Sequence, residues 1–163
     1  MVSRRKFLKT SAAVSGLAMM DKSHAAEMLD FAGRKVNKPI VISTWNFGVA
    51  ANAEAWKILS SGGRALDAVE AGVKVPEADP NNQTVGLGGR PDRDGKVTLD
   101  ACIMDEHTNI GAVACLEHIV HPISVARLVM EKTPHWMLVG EGALQFALAQ
   151  GLDRKSTRLN SSH

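Results

Sequence analysis

Two apolar runs separated by four polar residues constrain this chain more than any other feature. The first, Lys96-Val97-Thr98-Leu99-Asp100-Ala101-Cys102-Ile103-Met104-Asp105, alternates; the second extends from Ile110 to Ile119, and Glu106-His107-Thr108-Asn109 joins them. A polar connection of that length suffices to reverse antiparallel strands, so the pair reads as a β-hairpin. Val97, Leu99, Ala101 and Ile103 share one face, and Thr98, Asp100, Cys102 and Met104 share the other. Neither face is strongly polar, so both sides of the sheet are expected to be covered, as in a layered α/β (α+β) protein.

The flanking segments supply the helices. Pro39-Ile40-Val41-Ile42-Ser43-Thr44-Trp45 reads as a short buried strand ending at Asn46-Phe47-Gly48. The spacing of Ala50, Ala53, Trp56 and Ile58/Leu59 predicts a helix over 49–59, closed by the glycines of Ser60-Ser61-Gly62-Gly63. A second helix is expected from Arg64 to about Lys74, with Leu66, Val69 and Val73 on one face and Pro76 as its stop. Pro122 opens a helix that reaches Lys132 before Thr133-Pro134. Trp136–Val139 reads as a strand, and Gly142–Gln150 as a helix closed by Gly151. With 163 residues, 14 of them glycine and only 4% aromatic, the chain favours one domain with close helix-on-sheet packing over an aromatic-lined cleft.

Both ends differ from the body. Residues 1–25 carry Arg4, Arg5, Lys6, Lys9 and Lys22 against Asp21, and 153–163 carry Arg154, Lys155 and Arg158 against Asp153. The formal net charge of +2 therefore hides a body of −4, which offers no footprint for nucleic acid or an anionic membrane. Ser3-Arg4-Arg5-Lys6-Phe7-Leu8-Lys9, a mild apolar run from Ser11 to Met20, and Ser23-His24-Ala25-Ala26 have the layout of an export signal. The arginine pair resembles the twin-arginine address, so residues 1–25 are expected to direct a folded protein to the periplasm or outside the cell. The apolar run is about half the ~20 residues that span a bilayer. Residues 153–163 lack an apolar period, read as a translated adapter scar, and are set aside as a non-native tail.

Several chemical motifs are weighed and put aside. Gly86-Leu87-Gly88-Gly89 lacks the Gly-Lys-Ser/Thr end of a P-loop and leads into a strand instead of a helix; it reads as a tight turn at a sheet edge. His118-x-x-His121 has only Glu117 nearby as a further donor, too little for a metal site. Cys102 and Cys115 fall on the two hairpin arms, diagonal to one another, and are expected to be buried free thiols.

Longer motifs carry a family resemblance. Ser43-Thr44-Trp45-Asn46-Phe47-Gly48, Gly88-Gly89-Arg90-Pro91-Asp92-Arg93-Asp94-Gly95, Leu99-Asp100-Ala101-Cys102-Ile103-Met104-Asp105, Pro122-Ile123-Ser124-Val125-Ala126-Arg127 and Leu138-Val139-Gly140-Glu141-Gly142-Ala143 occur in one order. Over Lys38 to Gly151 the chain resembles the α-subunit of the bacterial glycosylasparaginases, N4-(β-N-acetylglucosaminyl)-L-asparaginases of the N-terminal nucleophile hydrolase type. The resemblance implies a partial four-layer αββα sandwich, with 38–152 as a truncated α-subunit region. It implies a glycosylasparagine-type substrate, a β-subunit as partner, a homo-oligomer of αβ units, and no cofactor or metal.

Plant-type asparaginases and isoaspartyl peptidases share the middle motifs but usually open with His-Gly-Gly-Ala-Gly where this chain has Thr44-Trp45-Asn46-Phe47-Gly48. That favours the glycosylated substrate, with free asparagine or an isoaspartyl dipeptide as the alternative. The family's substrate-contacting tryptophan maps onto Trp45; by its residues alone, Trp45 also fits a strand-end core aromatic. The family's nucleophile is a threonine freed by self-cleavage, typically after Asp or, in the relatives, Gly. Thr10, Thr44, Thr84, Thr98, Thr108, Thr133 and Thr157 follow neither. No catalytic residue is therefore assigned within this chain, and the nucleophilic threonine is expected in a β-region beyond it. A non-catalytic exported fragment is the remaining alternative.

Overall fold

The computed structural model describes residues 39–154. The export signal and most of the tail set aside above lie outside the described residues. Helices α1 (Gly48–Ser60) and α2 (Ala65–Ala78) come first, followed by a 3-10 turn at Gly86–Gly88. Strands β1 (Leu99–Met104) and β2 (Ile110–Leu116), helix α3 (Pro122–Lys132), strand β3 (Met137–Val139) and helix α4 (Gly140–Ala149) complete the order. Among the described residues this is an α+β arrangement in which the sheet has three strands in the order β1-β2-β3. β1 and β2 pair antiparallel as a hairpin, while β3 runs parallel to β2 after the α3 crossover.

The hairpin follows the expected pattern. Asp105 Oδ1 accepts the backbone N–H groups of His107 and Asn109, both at 2.9 Å, so one aspartate nucleates the reversal. Thr108 takes the left-handed conformation at φ 67° that the turn requires. Leu99, Ala101 and Ile103 of β1 and Val113 and Leu116 of β2 face α3 and α4, where the core lies. Leu116, Val125 and Val129 are fully enclosed. Removing this cluster's apolar surface from water stabilises the fold by roughly 25 cal/mol per Å².

The expectation that both sheet faces are covered is corrected. Asp100, Cys102, Met104, Ile110, Met137 and Val139 lie on the second face and are exposed among the described residues. The cysteines are free, as expected, but exposed instead of buried. Cys102 lies on the open face opposite Ala112, and Cys115 sits at an irregularity of the ladder with φ 51°.

The expected strand at 39–45 is also absent from the described residues. Ile40 and Ile42 are exposed, and no neighbouring strand offers partners for the backbone there. Apolar composition cannot make a strand without a ladder. Helix α2 continues past Pro76 to Ala78, because a proline in the last turn forfeits only one bond, the one residue 76 would have donated to Gly72.

The α1–α2 pair is built on small residues. Ala51 and Ala55 are buried against α2, and a Cβ on Gly72 would come within 2.8 Å of the Ala51 carbonyl oxygen. Trp56, expected on the inner stripe, is 45% exposed. Close backbone approach, and not large side chains, selects the contact face. Schellman caps close α1 and α4: Gly63 N–H bonds Ile58 O at 2.9 Å, and Leu152 N–H bonds Ala147 O at 3.1 Å.

Candidate functional site

A tight turn places the sequence's one candidate site residue. The N–H of Gly48 donates to the carbonyl of Trp45 at 2.8 Å, and Asn46 Oδ1 accepts the Phe47 N–H at 2.9 Å. A Cβ on Gly48 would come within 2.2 Å of Ser43 Cβ, so glycine is what lets residues 43–45 fold back on the start of α1. Trp45 emerges 69% exposed at the rim of a cleft of about 660 Å³. Among the described residues Trp45 is thus not enclosed as a core aromatic.

The cleft runs beside β1, which is an edge strand. Phe47, Ala51, Val73, Pro122 and Ile123 make its apolar lining. Its polar groups come from Ser43, Thr44, Thr84, Thr98, Asp100 and Glu77. A mostly apolar concavity with a few converging polar groups is the usual form of a small-molecule site. Two of the hydroxyls are already committed: Ser43 Oγ donates to Asn52 Oδ1 and Thr84 Oγ1 to Asn82 Oδ1, each at 2.5 Å. An amide oxygen does not take up a proton near neutral pH, so neither pair makes a nucleophile with its base. Asp100 Oδ1 accepts the Cys115 N–H at 2.8 Å, which fixes its carboxylate over the ladder irregularity.

Two carboxylates on α2, two turns apart, have opposite electrostatics. Burial alone would raise Glu70, but hydrogen bonds from Lys74, Ser124 and Arg127 outweigh it and bring the carboxyl down to about 2. Arg127, whose guanidinium also reaches Asp67 and Glu131, is held firmly protonated by these acids against its own desolvation. Glu77 is 3% exposed, and burial pushes it up to about 8. Its Oε1 accepts the Ile123 N–H, and its Oε2 lies 3.1 Å from His121 Nδ1.

His121 is thereby engaged with Glu77, while His118 turns to Glu117 at 3.7 Å. Among the described residues no group of three or more His, Cys, Asp or Glu side chains is placed to hold a metal. The glycine run, expected as a tight turn, is one: Gly86 has φ +67° and its Cβ position falls 1.9 Å from Glu77 O. The sequence reading overlooked Glu77, Thr84 and Asp100. For Glu77 a signal existed, because it continues the inward stripe of Leu66 and Val73 at helical spacing. Ending the helix at Pro76 hid it.

The profile of the family described as Asparaginase matches residues 35–162. The chain belongs to this asparaginase family. Within the family it is 61% identical over 155 residues to the N(4)-(Beta-N-acetylglucosaminyl)-L-asparaginase of Elizabethkingia miricola, covering 94% of this chain and 46% of that protein. The enzyme of the same name from Rattus norvegicus is 46% identical over 125 residues, or 76% of this chain and 36% of the relative. An isoaspartyl peptidase of Salmonella typhimurium is 47% identical over 107 residues, covering 65% of this chain and 34% of its own length. The chain thus spans about half the length of the first of these relatives and about a third of the other two.

Proposed function

We propose that this chain is the α-part of an amide hydrolase that cleaves the bond between N-acetylglucosamine and asparagine and releases aspartate. The likeness to the Elizabethkingia miricola protein along almost the whole chain carries the reading. Trp45 at the cleft rim supplies an aromatic face for a sugar-bearing substrate, and Asp100 and Thr98, which line the same cleft, supply polar contacts.

The reacting groups belong, in this reading, to a β-region released by self-cleavage before a threonine. A free α-amine titrates near pH ~8, close enough to neutrality to take the proton of its own hydroxyl. Before cleavage that nitrogen is an amide and cannot accept a proton, so activity tracks cleavage. Donors for the tetrahedral oxyanion complete the site. The resulting αβ unit associates into a homo-oligomer, needs no cofactor, and reaches the periplasm or the exterior through the Arg4-Arg5 signal.

The test uses the full-length gene product. Two bands on a denaturing gel and aspartate release from glycosylasparagine are expected, and replacing the cleavage-site threonine with alanine leaves one band and no activity. Full hydrolysis by uncut protein would end the proposal. The Arg4→Lys, Arg5→Lys double variant retains charge but loses the receptor-read pair, so it stays in the cytoplasm; export at the normal rate refutes the signal.

The likeness to an isoaspartyl peptidase supports one other reading, in which the amide substrate is free asparagine or an isoaspartyl dipeptide. Profiling the same preparation on all three substrates separates the two. Trp45 in place of the relatives' glycine-rich opening favours the glycosylated amide.

A further inference from the structure

Glu77 is a buried acid that the amide chemistry leaves unused. It joins three walls of the cleft. Its side chain ties the last turn of α2 to the first turn of α3 through the Ile123 N–H at 3.1 Å. Its backbone is the surface on which the glycine turn rests, since Gly86 has room for no Cβ there. Glu77, Gly86, Pro122 and Ile123 all line the cleft.

Among the described residues no Lys or Arg side chain bonds this carboxyl. On α2, Lys74 favours its charged form through space, but that ammonium is paired with Glu70 at 2.8 Å, and Glu70 repels a second charge at residue 77. From α3, Arg127 is occupied by Asp67, Glu70 and Glu131, while Ser124 Oγ donates to Glu70 at 2.6 Å. β1 brings Asp100 and the Cys102 thiol to the cleft but no cation, and the turn at 86–88 brings no ionisable side chain. His121 remains, and both its own burial and Lys74 disfavour a proton on it. With the Ile123 N–H already on Oε1, one proton between Oε2 and Nδ1 satisfies both acceptors.

We propose that Glu77 is a positioning residue, a neutral acid whose Oε2–H donates to His121 Nδ1 and so holds the glycine-turn wall of the cleft in place. When that proton leaves for solvent, the imidazole keeps the contact only by moving its own proton from Nε2 to Nδ1, and the carboxylate charge is then buried with no Lys or Arg bonded to it, so the α2–α3 tie and the turn resting on it loosen. The consequence for substrate rests on reading this cleft as the amide site; the latch itself does not.

The experiment takes the full-length gene product through ring-nitrogen NMR of histidine from about pH 6 to about pH 9.5. Exchange of the Gly89 amide, which bonds the Gly86 carbonyl, is followed in parallel and corrected for its intrinsic rate. His121 should hold its Nε2–H tautomer through neutrality and change only near pH 8, where Gly89 exchange should rise ~10-fold. Glu77→Gln keeps both hydrogen bonds without a titrating proton, so it should preserve the tautomer and abolish the alkaline rise. Glu77→Ala should speed Gly89 exchange at every pH. KM for the amide substrate should follow the exchange, with kcat changing less. An imidazolium at His121 near neutral pH, or an alkaline transition that persists in Glu77→Gln, overturns the proposal. If the tautomer and exchange behave as stated but none of the three amides is hydrolysed, the functional reading falls and the latch stands.

Discussion

The two faces of the sheet carry similar amounts of hydrocarbon and opposite fates. Toward α3 and α4, Ile103, Val113 and Leu116 are at most 4% exposed. On the other side, Met104, Ile110, Met137 and Val139 range from 46% to 60% exposed. Side-chain chemistry does not separate these sets; the presence of a helix layer does. An apolar sheet face left open is a surface for another layer, and a four-layer sandwich places a second sheet there. The described residues thus form an α layer on a β layer, with a cleft at the free edge of β1.

The comparison is broken most directly by equal truncations on the two faces. Leu116→Ala should cost ~3–4 kcal/mol in urea unfolding, whereas Met104→Ala should cost under ~1 kcal/mol in the 163-residue chain. In the full-length product Met104→Ala should become much more costly. Equal costs on both faces in the short chain would mean the open face is already packed. Expressed alone, that chain should be inactive and self-associate through this face, visible as light scattering that rises with concentration. A sharp cooperative melt from a soluble monomer contradicts it.

A pair of glycines extends the contrast between crowded and open surroundings. Gly86→Ala meets the Glu77 carbonyl at 1.9 Å and requires a left-handed residue, so a loss of ~2–4 kcal/mol is expected in thermal unfolding. Gly142→Ala lies in α4 with nothing near its Cβ position and should be neutral or stabilising by up to ~1 kcal/mol.

The two acids of α2 divide by pH. Glu70 is held below its ordinary value, so its contribution is present above about 4.5 and lost as pH falls through about 2. Allowing for the water that reaches it, ~1–2 kcal/mol is at stake. Glu77 is held above its ordinary value, so its contribution is present below about 4.5 and lost as pH rises through about 8. Melting curves should show Glu70→Gln flattening the acid limb and Glu77→Gln the limb between these two values. Exchanged effects would contradict the assignment.

Local chemistry was readable in advance where it acts over a few residues. The polar turn at 106–109, the Pro122 start of α3, and Gly62 and Gly151 past the ends of α1 and α4 declare themselves because the signals are local. What depended on distant partners was hidden. Residues 39–45 have strand composition but no ladder to join. Trp56 lost the inner face of α1 to Ala51 and Ala55, since the fit against Gly72 is set by another helix. Cys102 followed the open face. In the cleft, Trp45 was visible through its motif, whereas Glu77 gains its character from Ile123 and His121, more than forty positions away.

The cleft at Trp45 is tested most directly by steady-state kinetics of Trp45→Ala in the full-length, self-cleaved protein. The account predicts normal cleavage into two chains and a fall in kcat/KM for glycosylasparagine of ~10–100-fold, mostly through KM, because a rim aromatic binds ground state and transition state alike. Unchanged kcat/KM on glycosylasparagine in cleaved Trp45→Ala would place the substrate elsewhere and contradict it.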